Sequence, residues 1–162
     1  MNSQFQVKFK SGEVSALDPV GDTFELNNDT YTLSGIISGT WFVTPIIRAN
    51  VSIGISVIHK DYEDDDSELL IYDKLKSETG FIGFMDKTYF TKLKAGFNNT
   101  VSKHIFDSTI INATEDYPNC SVVYGRVALV DVVSELDDTF SLYATHTDDG
   151  RVVKMSIILN RK

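Results

Sequence analysis

Cysteine is nearly absent: the 162-residue chain carries only Cys120, so no internal disulfide framework exists and packing must hold the fold. That one thiol reads as a small core residue, because no activating base stands at a suitable spacing from it. Proline occurs three times, tryptophan once, and no stretch rich in Pro, Gly or Ser divides the chain, so residues 1–162 are expected to form one domain. Long apolar runs are missing too. Nothing approaches the roughly 20 apolar residues of a membrane-spanning helix, and the opening "MNSQFQVKFK" lacks the apolar core of a signal peptide. The expectation is a soluble chain with no membrane span, either cytoplasmic or secreted after removal of a leader. Positive charge is in short supply. Fifteen Lys and Arg against 23 Asp and Glu give a net charge of -8, the wrong sign for holding phosphate backbones, which argues against nucleic acid as a partner.

Linear motifs of catalysis are lacking as well. His59, His104 and His146 are far apart and none belongs to a His-x-x-x-His pair, so no metal site is expected. The acidic run "DYEDDDSE", residues 61–68, holds Asp66 and Tyr72 where a calcium loop starting at Asp61 needs Gly and Glu; it reads as a solvated loop. "GIISG" has the wrong order for a nucleophile elbow, and neither phosphate-loop fingerprint occurs. No cofactor is expected. Acid–base chemistry by His or Tyr assembled from separate strands leaves no linear trace, so the question of catalysis stays open.

What the chain has is two-residue alternation. Phe5, Val7 and Phe9 alternate with Gln6, Lys8 and Lys10, and Val51, Ile53, Ile55 and Val57 alternate with Asn50, Ser52, Gly54 and Ser56. Extended back to Ile46, the second pattern predicts one strand of about 13 residues bent at Gly54. "GIISGTWFV" is interrupted by Pro45, "SVVYGRVALVDVV" reads as a central strand through Gly125, and Asp149-Gly150 signals a two-residue hairpin before Val153, Met155, Ile157 and Leu159. Residues 98–112 fit a strand or a short helix. The pattern predicts an all-β protein, a single antiparallel β-barrel of about 8–10 strands, with a two-sheet β-sandwich as the alternative.

Gly39-Thr40-Trp41 resembles the Gly-x-Trp motif that opens the first barrel strand of lipocalins and other calycins. The resemblance implies a β-barrel binding small apolar molecules, with an arginine of the last strand packed on the tryptophan, a position that Arg161 matches. It covers three residues and one arginine, and departs from the family because some 38 residues precede the motif here. A core tryptophan is the plainer reading.

Two functions follow from the class. The first is a binding module whose lumen holds a small apolar molecule, with Trp41, Tyr72, Tyr89, Tyr124 and Tyr143 as aromatic wall and Ser52 and Ser56 supplying hydroxyls. A variant of it is a cofactor-independent cyclase or isomerase, in which the hydrophobic cavity shapes a flexible substrate. The second is a structural or recognition β-domain of a virion, appendage or cell surface, acting through loops and homo-oligomer interfaces. Asn28, Asn50, Asn98, Asn112 and Asn119 each begin an Asn-x-Ser/Thr triplet, which marks glycan sites in a secretory pathway and otherwise reflects turn composition.

Overall fold

The strictest alternation in the chain forms strands, but not one strand. In the computed structural model, which describes residues 5–17, 30–63, 67–77, 81–88, 120–123, 127–132 and 138–160, the chain reverses at Ala49 and Asn50. Both have positive φ, 53° and 65°, as a two-residue hairpin of the primed type requires. The pattern therefore divides into β4 (Gly39–Arg48) and β5 (Val51–His59), paired antiparallel. Pro45 does not interrupt β4. Its other neighbour, β1 (Phe5–Phe9), pairs among the described residues along Gly39–Val43, so the N–H missing at Pro45 costs no ladder bond of that described pairing.

The remaining strands are β2 (Val14–Leu17), β3 (Tyr31–Leu33), β6 (Leu69–Leu75), β7 (Phe81–Asp86), β8 (Cys120–Val123), β9 (Val127–Asp131), β10 (Thr139–His146) and β11 (Val152–Asn160). They build two antiparallel sheets, in the orders β1-β4-β5-β11-β10-β6 and β3-β2-β7-β9-β8. The fold is all-β. The expected closure into one barrel is not seen among the described residues, where β1 and β6 end the first sheet and β3 and β8 the second. The expected central strand through Gly125 is instead two strands, with Val123 paired to Val127. Nor is Asp149-Gly150 a two-residue turn: the loop runs from Thr147 to Arg151, closed by Thr147 N–H to Arg151 O at 2.8 Å, with the Thr147 hydroxyl bonded to Asp149. Residues 98–112 lie outside the described residues.

Both sheets feed one core. Val43, Trp41, Ile55, Val57, Met155 and Ile157 come from the first, and Val14, Ala16, Ile82, Phe84, Ala128 and Val130 from the second, all fully buried. Cys120 joins them, as its reading as a core residue required. Tyr31 of β3 stacks on Tyr72 of β6, centroids 5.2 Å apart, so the sheets also meet along one pair of edges.

The chain crosses between sheets at residues 10–13, and Asp86 at the end of β7 holds that corner. Its carboxylate accepts the backbone N–H groups of Lys10, Ser11 and Thr88. Burial alone opposes ionisation, yet these donors together with the Ser11 hydroxyl outweigh it and hold the carboxyl below its ordinary range. A depressed carboxylate contributes stability above the unfolded value, about pH 3.9, which is lost as pH falls through the lower folded value. Asp86→Asn is therefore expected to cost about 1.5–3 kcal/mol at neutral pH. Urea unfolding across acid pH should show the difference from the wild type shrinking below about pH 4.

Candidate functional site

Cross-strand pairing assigns the two faces of the six-stranded sheet. Val57 lies opposite Met155 and Ile55 opposite Ile157, facing the core; Ser56 lies opposite Ser156, Ile58 opposite Lys154 and Gly54 opposite Ile158, facing away. The small side of β5 thus faces away from the core that the two sheets share. It is far from bare, however. Ser52, Ser156, Lys154 and Thr145 are all buried.

A polar cluster occupies this outer face. Glu68, immediately before β6, reaches across β10 to β11, where its Oε1 lies 2.8 Å from Lys154 Nζ. The Ser156 hydroxyl is 3.2 Å from the same oxygen and 3.1 Å from Ser56 Oγ. Glu68 therefore belongs to a packed ion pair, which departs from the solvated-loop reading of the run that it ends. Thr145, paired across the ladder with Lys154, has a buried hydroxyl with no partner among the described residues. Lys154 pairs with Glu68, so the carboxylate orients the Ser156 hydroxyl and the ammonium group together. The cluster can fasten the start of β6 to the sheet and can hydrogen-bond a polar group at Thr145.

The described candidate ligand residues lie on different faces of the six-stranded sheet. Trp41 is fully buried on the inner face, where its Nε1 donates to Ile37 O at 2.9 Å. Tyr72 packs against the same core. Ser56 and Tyr143 flank Ser156 on the outer face, and Ser52 is buried near the β4–β5 turn. Tyr89 and Tyr124 lie outside the described residues, as do Arg161 and His104.

Of the other histidines, His146 is exposed and His59 is buried against Trp41, ring centroids 5.7 Å apart and nearly perpendicular. His59 Nδ1 accepts from Asp61 N–H at 3.2 Å, which fixes the proton on Nε2, 3.2 Å from Ser38 O. Both ring nitrogens are used structurally. Gly39 has its own local cause: its φ is +128°, and a Cβ there would stand 3.1 Å from His59 Nε2. Asn50 is exposed at the hairpin tip; the other four Asn-x-Ser/Thr asparagines lie outside the described residues.

Sequence reasoning missed Glu68, Lys154 and Ser156. No local signal could have joined them, because Glu68 and Ser156 are 88 positions apart and meet only through strand order. Among the described residues, no group of three or more His, Cys, Asp or Glu could hold a metal ion, and no helix is long and apolar enough to cross a membrane. Comparison with known protein families, curated proteins and solved structures yields no match to this chain.

Proposed function

We propose that this chain is a two-sheet β-sandwich working as a structural or recognition domain, through its sheet edges and loops rather than an internal ligand site. The observation that supports the reading is the scatter of the would-be lumen residues over two faces: Trp41 and Tyr72 inside, Ser56 and Tyr143 outside. An apolar-ligand site needs its aromatic wall and its orienting hydroxyls to meet in one concavity. The interior between the sheets is occupied by large side chains instead, with Phe9, Trp41, Phe84 and Phe140 all fully buried. Meanwhile large apolar side chains stand exposed at the sheet's rim, on Ile47, Val51, Leu69 and Leu70. Isolated exposed leucines need no explanation, but adjacent ones on an edge strand suit contact with another surface.

Native mass spectrometry of the purified protein is the test. The reading expects masses equal to the polypeptide or its multiples, with no added small molecule. A monomer that retains a lipophilic compound would overturn it and restore the binding module, including its cyclase or isomerase variant.

A further inference from the structure

An antiparallel sheet that shows one face to water alternates apolar residues inward with polar ones outward. Strands β1, β4 and β5 depart from that rule. The ladder sets Gln6 beside Phe42 and Phe42 beside Ile58, on the side away from Trp41 and Val57. Further along β4, Ile46, Gly54 and Ile158 form one row across β4, β5 and β11. Phe42, Ile46, Ile58 and Ile158 are each half-buried, yet none of them packs against the core that the two sheets share. Gly54 adds no side chain between its two isoleucines. A grouped apolar surface of this kind suits contact with another molecule.

The charges beside it identify the chemistry of that molecule. Asp and Glu outnumber Lys and Arg 23 to 15 in the chain, but residues 5–10 and 30–60, which hold β1, β4 and β5, contain neither acid. Their charged side chains are Lys8, Lys10, Arg48 and Lys60, all exposed and none in an ion pair among the described residues. Lys8 lies opposite Thr40, and Lys60 donates its N–H to Thr40 O at 3.1 Å. With strands about 4.8 Å apart, the backbones of the two lysines stand roughly 10 Å apart across Thr40, at the end of the apolar rows. A phosphate backbone would bring negative charge without aliphatic side chains. A second copy of the same face would bring aliphatic side chains with the wrong charge.

We propose that the outer face of β1, β4 and β5 docks an acidic amphipathic segment of a partner protein, its apolar stripe over Phe42, Ile46, Ile58 and Ile158 and its carboxylates beside Lys8 and Lys60. An apolar centre with complementary charge at its rim is the usual anatomy of a protein interface. From Thr40 to Ile46 the patch runs about 20 Å along β4, the length of a helix of about 14 residues. The inference rests on the recognition reading and gives the partner its chemistry.

Fluorescence anisotropy tests it with a labelled peptide of about 14 residues, Leu on one helical face and Glu on the other. This peptide should bind the wild type, less tightly as salt is raised, and its Leu/Lys counterpart should bind at least about tenfold more weakly. Phe42→Thr with Ile58→Thr, and separately Lys8→Glu with Lys60→Glu, should each weaken the Leu/Glu peptide at least about tenfold. Lys74→Glu with Lys76→Glu changes net charge equally at the opposite, β6 edge of the sheet, and should leave binding within about twofold. Methyl NMR shifts at Ile46, Ile58 and Ile158 on titration give a readout free of substitutions. A Leu/Glu peptide that does not bind, a Leu/Lys peptide that binds equally, or an equal loss in the Lys74 and Lys76 variant overturns the proposal. Tighter binding to phosphatidylserine vesicles or to oligothymidylate, abolished by the Lys8 and Lys60 variant, overturns it as well. If the protein carries no small molecule, a failed peptide removes this docking face alone; if it retains an apolar ligand, the recognition reading falls with it.

Discussion

Gly83→Ala is expected to cost at least about 3 kcal/mol, out of proportion to the single methyl group it adds. Gly83 sits in β7, the middle strand of the five-stranded sheet, paired with Leu129 of β9. A Cβ built there would stand 2.0 Å from Ala128 O and 2.7 Å from the Leu129 Cα. Both obstacles are backbone, so no side chain can rotate away; relief requires the two central strands to part. Gly54 is placed alike in the other sheet, where a Cβ would meet Ile157 O at 2.0 Å. Gly54→Ala should therefore be as damaging. Gly150→Ala supplies the contrast: nothing lies within 4 Å of its Cβ position, and only its φ of +84° penalises the change, at about 1 kcal/mol. Urea unfolding followed by the fluorescence of Trp41 measures all three on one scale. Against a native stability of about 5–15 kcal/mol, a loss of that size removes from about a fifth to more than half of the total. Equal costs at Gly83 and Gly150 would mean that close strand approach is not what selects glycine at residue 83.

The core of this fold was readable because it is periodic. Phe5, Val7 and Phe9, and likewise Ile55, Val57, Met155 and Ile157, declared their strands through alternation alone, and the structure keeps each on the inner side. What alternation cannot declare is where a strand reverses without a turn residue of strong preference. Ala49-Asn50 carries no glycine, so the β4–β5 hairpin hid inside one regular pattern; Gly54 was read as a bend when its role is close approach to β11. The reversed error occurred at Asp149-Gly150, where a strong dipeptide signal lost to the Thr147 hydroxyl, which accepts Arg151 N–H at 3.1 Å and widens the loop. Barrel and sandwich share every local feature and differ only in how their end strands meet. Polar partners fared worst. Asp86 and Lys10, or Glu68 and Lys154, come together through sheet order, and no spacing along the chain encodes that.

Trp41→Ala should cost about 3–5 kcal/mol, as expected for emptying a fully enclosed aromatic site. The indole is held from several sides: Phe9 tilts against it with centroids 5.5 Å apart, His59 meets it edge-on, and Ile37 O accepts its N–H. Its loss leaves that carbonyl without its partner and removes the surface on which His59 is packed. Trp41→Phe keeps most of the volume but not the hydrogen bond, so its cost should be nearer 1–2 kcal/mol. Circular dichroism must follow these variants, because the substitution deletes the chain's one tryptophan. The two readings of the residue part at a second measurement. If Trp41 is core, folded Trp41→Phe binds an apolar fluorescent probe no differently from the wild type while unfolding at lower urea. If it lines a cavity, as the Gly-x-Trp resemblance implied, probe binding weakens while stability hardly moves. The second outcome would return function to the space between the sheets and withdraw it from their edges.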